Sequence, residues 1–217
     1  MTAEKVINIA LGEIGTKESS ANSNRTKYGE AYGWNGVSWC VIFLWWCFRE
    51  AEMSELFYGG GKVASCSQFR DWAKRNGQWV TEDYRPGDMV IFDFPGTAYE
   101  TDHIGIVTDV AGNTLVTVEG NTSATGSQSN GGMVMQKTRP LSQVIGAVRP
   151  KYETEDDMTG EEIYEKLNEY LKTLPAPDWA REELQEAIDA GITDGTRPMQ
   201  MIPRYQAAIM ALRASKL

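Results

Sequence analysis

Hydrophobic residues in the first part of the chain recur at the spacing of α-helices. After Thr2, a residue type suited to a helix N-cap, apolar side chains return every three or four positions as far as Gly15, at Val6, Ile7, Ala10, Leu11 and Ile14. The pattern predicts two more helices, from Cys40 to about Glu52 and from about Ser65 to Arg75. Residues 16–38 are rich in serine, asparagine and glycine, which indicates a loop with short turns.

The pattern then changes to short segments rich in β-branched residues and bounded by turn residues. Such segments predict strands at 89–94, 104–110, 114–120, 133–138 and 144–150. Gly112 and Asn113 lie between two of them and predict a hairpin turn. Helices followed by an antiparallel sheet are typical of an α+β fold.

A second, smaller region follows the predicted sheet. Residues 151–158 are acidic and lack bulky aliphatic side chains, so we interpret them as a linker after a first domain at 1–150. Thr159 and Glu162 have the spacing of a capping box and predict a helix with a continuous apolar stripe. Proline and glycine positions then separate two further helices, so residues 159–217 are predicted to form a small three-helix domain.

Charge and hydropathy exclude some classes of function. The chain has 30 acidic and 21 basic residues, and a net charge of −9 does not favour binding to nucleic acid. No apolar stretch approaches the length that spans a bilayer, and the first residues lack the apolar run of a secretory signal. We therefore expect no signal peptide and no insertion into a membrane.

The chain has three cysteines and one histidine. An odd number of irregularly spaced cysteines argues against a disulfide framework, and the absence of a CxxC pair argues against a zinc site built from Cys40, Cys47, Cys66 and His103. A cysteine hydrolase needs a thiolate, a base and a group that orients the base. His103 is the only imidazole, so any such mechanism must use it as the base.

The positions of the cysteines favour Cys40 as the nucleophile. It follows a polar loop and begins an apolar helix, where the helix dipole and free amides stabilise a thiolate and can receive an oxyanion. Cys47 lies within the bulky apolar sequence WWCF and is expected to be inert. Cys66 also precedes a helix, but no partner lies near it in sequence, and we interpret it as structural.

Two residues are candidates for orienting His103, which lies at the start of a predicted strand. Glu119 and Asn121 end the neighbouring strand and share one of its faces. Glu119 would stabilise an imidazolium by its charge, whereas Asn121 could orient a neutral ring.

Five segments of the chain resemble, in order, the conserved blocks of the CHAP family, the cysteine, histidine-dependent amidohydrolases/peptidases. They are EIGTKESSANSNRTKYGEAYGWNGVSWCVIFLWWCF, RPGDMVIFDF, DHIGIVTDV, VEGNTS and IGAVRP. The resemblance covers about residues 4–150 and implies a papain-like α+β fold. It implies that Cys40 is the nucleophile, His103 the base and Glu119 the orienting acid, with Asn121 as a further polar member.

The resemblance also implies a substrate and a setting. It indicates a phage or prophage endolysin that hydrolyses peptidoglycan, as an N-acetylmuramoyl-L-alanine amidase or, alternatively, as an endopeptidase of the stem peptide or cross-bridge. Such an enzyme would be made in the host cytoplasm and would reach the wall after release through a holin. Two other classes remain as alternatives, a catalytically silent wall-binding protein and a cytosolic thiol enzyme acting on small amides.

The loop before Cys40 departs from some CHAP relatives. Those relatives carry an Asp-rich calcium loop there, whereas this loop is rich in serine and asparagine with Glu18 as its nearest acid, so we predict no obligatory metal and no cofactor. A glycan or peptide groove is predicted to be lined by four residues, with a place in the core as the alternative for the aromatic ones: Trp34, Asn35, Trp39 and Tyr99.

The C-terminal region resembles a helical motif appended to endolysins and, distantly, surface-layer homology repeats. The segments that carry this resemblance are DWAREELQEAIDAGITDGTRP and PRYQAAIMALR. It implies binding to a wall polymer, and the alternative is a packing or homodimerisation appendage.

Overall fold

The protein is described by a computed structural model that covers residues 2–98, 100–125, 127–153, 159–199 and 204–214. The chain divides into two compact units, Met1–Glu153 and Thr154–Leu217.

The first unit contains four α-helices, α1 Ala3–Gly12, α2 Lys27–Tyr32, α3 Cys40–Glu50 and α4 Cys66–Arg75. Helix α2 lies within the segment predicted to be a loop. The Thr26 hydroxyl accepts a hydrogen bond from the Gly29 amide at its start, and Gly33 ends it with φ 85°. At six residues, this helix is too short to show a hydrophobic period in the sequence.

The same unit contains one antiparallel sheet of six strands in the order β1-β6-β2-β3-β4-β5. The strands are β1 Trp79–Val80, β2 Met89–Phe92, β3 His103–Ala111, β4 Thr114–Thr122, β5 Met133–Pro140 and β6 Val144–Val148. The five predicted strands and the hairpin between β3 and β4 are confirmed, and so is the α+β class. Strand β1 was not predicted because two residues show no alternation.

Helix α3 lies against the sheet at the centre of the core. Eight of its eleven residues are buried, which is typical of a helix covered on all sides. Gly120 of β4 permits the close approach, because a Cβ at this position would lie 2.6 Å from Phe43 Cβ and 2.8 Å from Trp39 Cζ3. The missing side chain therefore brings the N-terminus of α3, with Cys40, against the end of β4.

The second unit contains α5 Gly160–Thr173, α6 Arg181–Asp189 and α7 Arg204–Ala214. The predicted capping box is confirmed, since the Thr159 hydroxyl accepts from the Glu162 amide and the Glu162 carboxylate accepts from the Thr159 amide. Neither α5 nor α6 has a buried residue, and the apolar stripe of α5 is exposed. Within the described ranges, no helix combines the length and the apolar character needed to cross a membrane.

Candidate active site

Cys40 is the first residue of α3 and is only 4% exposed. No side chain caps this helix at Trp39, and the Val41 amide in its first turn donates to the Cys40 thiol. The pKa of Cys40 is held well below its usual range by a hydrogen bond from the Cys66 thiol and then, against the effect of burial, by the nearby His103 and its charge. These contacts favour the thiolate form of Cys40.

Cys66 is the neighbour of the nucleophile that sequence reasoning missed. It is the first residue of α4, and its thiol contacts that of Cys40. The hydrogen bond to Cys40 and burial raise the pKa of Cys66 well above its usual range, so that it stays protonated and donates. Nothing in the residues around Cys66 indicates that α4 brings it to Cys40.

Cys47 has a different environment in the middle of α3. Its side chain is fully buried, and burial raises the pKa of the thiol well above the usual range. These features fit the interpretation of Cys47 as an inert thiol.

His103, the first residue of β3, is completely buried. Its Nε2 lies 3.2 Å from Glu119 Oε2, although the ring N–H does not point directly at the oxygen, so the contact is an ion pair rather than a linear hydrogen bond. Burial disfavours the charged ring, but contacts with Cys40 and Glu119 raise the pKa of His103 to about 9. Below that pH the ring is an imidazolium beside the Cys40 thiolate.

Glu119 lies in β4 and accepts three hydrogen bonds from two other side chains besides its contact with His103. Arg139 of β5 donates from Nε to Oε1 at 2.8 Å and from Nη2 to Oε2 at 2.5 Å, and the Thr117 hydroxyl donates to Oε1 at 2.7 Å. Burial favours the neutral acid, but the hydrogen bonds from Arg139 and the ion pair with His103 lower the pKa of Glu119 to about 2. Sequence reasoning did not identify Arg139, because its approach to Glu119 depends on the pairing of β4 with β5.

Asn121 makes contacts of another kind. It adopts φ 61° at an irregularity of β4, and its Nδ2 donates to Ser38 Oγ at 3.3 Å and to Asn130 Oδ1 at 3.2 Å. Its Oδ1 accepts from the Gly132 amide at 3.3 Å. Among the described contacts of Asn121 there is no hydrogen bond to His103, so this side chain holds the loop before Cys40 while Glu119 contacts the ring.

The four predicted groove residues have different environments. Trp34 is 56% exposed, and the Asn35 side chain accepts from the amides of Thr26 and Gly36 at 3.0 and 3.1 Å. Trp39 is fully buried and donates from Nε1 to Glu18 Oε1 at 3.3 Å, so it belongs to the core and cannot line an open groove. Tyr99 lies outside the described residues.

Comparison with known families gives a match for this part of the chain. Residues 31–121 match the family model described as the CHAP domain. Residues 31–121 are a CHAP domain. The match is narrower than the resemblance over 4–150, and it includes Cys40, His103, Glu119 and Asn121. None of the curated proteins matches the sequence.

Several solved structures of other proteins are similar to this chain, although their sequence identity to it is low. One is the structure of Ly7917 with the hydrolyzing product of MDP, whose sequence is 15% identical to this chain. The match has a TM-score of 0.43 and covers 69% of this chain and 63% of the Ly7917 chain. Wild-type endolysin LysIME-EF1 is 16% identical in sequence, with a TM-score of 0.43, and the match covers 71% of this chain and 66% of the LysIME-EF1 chain. A third is a protein from Staphylococcus aureus subsp. aureus Mu50 described as similar to a lipoprotein of the NLP/P60 family. It is 14% identical in sequence, with a TM-score of 0.37, and the match covers 70% of this chain and 42% of that protein. The chain thus spans less than two thirds of each of these proteins.

The CHAP domain brings together the thiol of Cys40, the imidazole of His103 and the carboxylate of Glu119. Such a set can attack a carbonyl, protonate a leaving amine and activate water, which is the chemistry of a cysteine amidohydrolase or peptidase. Among the residues that the structure describes, no three histidine, cysteine or acidic side chains are grouped so as to hold a metal. The absence of an obligatory metal stays a prediction.

Proposed function

We propose that the chain is a peptidoglycan hydrolase that cleaves the amide between N-acetylmuramic acid and L-alanine. The observation that carries the proposal is the contact of His103 with both Cys40 and Glu119 inside a CHAP domain. The peptidoglycan substrate and the amidase reaction come from the family resemblance, because the fold alone does not determine the bond.

The first half of the proposed reaction forms a thioester. The Cys40 thiolate attacks the amide carbonyl, and the free amides at the start of α3 receive the oxyanion. His103 donates its proton to the leaving amine as the C–N bond breaks, and the ionised Glu119 stabilises the imidazolium until then.

The second half releases the acid. Neutral His103 takes a proton from water, the hydroxide attacks the thioester, and the Cys40 thiolate leaves with His103 again protonated. Asn121 contributes by holding Ser38, two residues before Cys40, so that the start of α3 keeps its position. The lactyl carboxylate and a stem peptide with a free L-alanine amine are the products.

Mass spectrometry of digested muropeptides tests this proposal. Purified Gram-positive walls are incubated with the full chain, with Cys40→Ala and with Cys47→Ala, which removes a thiol from the same helix. We expect stem peptides that begin with L-alanine from the full chain and from Cys47→Ala only. Shortened stems still attached to muramic acid would show that the chain is an endopeptidase and not an amidase. Walls left intact by the full chain would refute the proposal that it is a peptidoglycan hydrolase.

We further propose that the second unit binds a wall polymer. Its resemblance to helical motifs of endolysins supports this, and so do exposed aromatic side chains suited to stacking on sugars, with Trp179 81% and Tyr170 60% exposed. Cosedimentation of the inactive Cys40→Ala chain with walls is expected to fall when Trp179→Ala is added. Unchanged binding together with a concentration-dependent dimer in sedimentation equilibrium would favour the homodimerisation alternative instead.

A further inference from the structure

Arg139 is a buried cation that the proposed reaction does not use. Its side chain is 7% exposed, and its guanidinium donates to both oxygens of Glu119. The remaining terminal nitrogen, Nη1, donates to Gln128 Oε1 at 3.1 Å. All three nitrogens are thus paired, which fixes the plane of the guanidinium relative to the carboxylate.

Two aromatic rings hold Arg139 and His103 on the same side of the sheet. The guanidinium carbon of Arg139 lies 5.4 Å from the centre of the Phe92 ring and 4.9 Å from that of Phe94. The His103 ring lies 6.2 and 6.0 Å from the same two centres. These rings exclude water around the ion pairs, so the charges interact more strongly than they would at the surface.

We propose that Arg139 is a positioning residue that keeps Glu119 ionised and directed at His103. Glu119 has no exposed surface, and a buried carboxyl without a cationic partner takes up a proton. A neutral Glu119 could not stabilise the imidazolium that the proposed reaction needs. The active site is then a row of four alternating charges, from the Cys40 thiolate through His103 and Glu119 to Arg139.

The titratable groups around Glu119 come from three elements. His103 faces it from β3, Arg139 and Lys137 from β5, and Cys40 of α3 acts through His103. Arg139 is the only one of these that donates two hydrogen bonds to the carboxylate. Its removal is therefore the change expected to alter the titration of Glu119 most directly.

The test compares Arg139→Met with Arg149→Met. Arg149 makes an equivalent pair, donating to buried Asp88 from Nε at 2.9 Å and from Nη2 at 2.8 Å, away from the catalytic residues. We expect Arg139→Met to lower kcat/KM for wall fragments at pH 7 by about 10- to 100-fold, by analogy with the loss on replacing residues that orient metal ligands. The acid limb of kcat/KM is expected to move to higher pH in Arg139→Met and to stay in place in Arg149→Met.

A double-mutant cycle separates positioning from a merely structural role. If Arg139 acts through Glu119, adding Arg139→Met to Glu119→Gln changes kcat by less than about twofold. An unmoved acid limb, or an equal loss of activity in the Glu119→Gln background, overturns the proposal. If Arg139→Met does not fold, the same test is made with Arg139→Lys, because lysine keeps the charge and loses the planar pair of donors. The acid limb of Arg139→Lys is then expected to stay near that of the wild type because the charge remains, and a wild-type kcat/KM in this variant would overturn the proposal.

The kinetic readout rests on the proposed function, so a second readout is independent of substrate. The rate of Cys40 alkylation by iodoacetamide reports the thiolate, and its acid limb is expected to move to higher pH in Arg139→Met as well. Failure of the chain to digest walls would refute the proposed function alone. An alkylation profile identical to that of the wild type would refute the role of Arg139 alone.

Discussion

Replacement of Glu119 by glutamine removes the central charge of the site while keeping the side-chain volume. The guanidinium of Arg139, 7% exposed, then faces an amide instead of a carboxylate. Removing one partner of a buried pair costs about 3–5 kcal/mol. Glu119→Gln is therefore expected to lower the free energy of unfolding at pH 7 substantially.

The pKa of Glu119 gives the same magnitude independently. A carboxyl with a pKa of about 2 in the folded protein and 4.5 in the unfolded chain contributes roughly 3 kcal/mol of stability at pH 7. Because the folded pKa is lowered, this stability is present above pH 4.5 and is lost as the pH falls towards 2. The difference between wild type and Glu119→Gln should thus shrink to less than half of its neutral value at pH 3.

Urea unfolding followed by tryptophan fluorescence measures this difference in the first unit. Six of the seven tryptophans lie there, and the remaining one, Trp179, is 81% exposed. Asp109→Asn, at an exposed carboxylate of β3, is the control and should change stability by at most about 0.5 kcal/mol. A Glu119→Gln effect below about 1 kcal/mol at pH 7, or one that does not change with pH, would refute the reasoning.

Other substitutions test the packing and charge around the nucleophile. Cys66→Ala removes a hydrogen bond that stabilises the thiolate, so the pH at which iodoacetamide half-maximally alkylates Cys40 should rise; an unchanged profile by mass spectrometry would contradict this contact. Gly120→Ala forces β4 against Phe43 of α3 and should destabilise by about 1–3 kcal/mol and lower activity, as measured by calorimetry and wall digestion. Gly12→Ala, with open space around its added carbon, should instead raise stability by about 0.4–1 kcal/mol, and an equal loss in both variants would contradict the packing argument.

Much of the fold could be predicted because its signals are local. The alternation of apolar residues predicts the longer strands, and Gly112 with Asn113 predicts the turn between β3 and β4. Helix α2 and strand β1 could not be predicted, because elements of six and two residues are too short to show a period.

The site was partly predictable for a different reason. A single histidine leaves one imidazole base, and the helix start at Cys40 selects one thiol, so these two residues could be named without knowing any contact. Arg139 and Cys66 could not, because they approach Glu119 and Cys40 only through strand pairing and helix packing between distant parts of the chain. The irregular backbone at Asn121 also breaks the alternation that would place Asn121 and Glu119 on the same face of a regular strand.

Clearing of purified Gram-positive walls at pH 7 tests the central claim most directly. The account predicts that the turbidity of a wall suspension falls with the full chain and with Cys47→Ala, and stays constant with Cys40→Ala. Clearing by Cys40→Ala at the rate of the full chain would contradict Cys40 as the nucleophile.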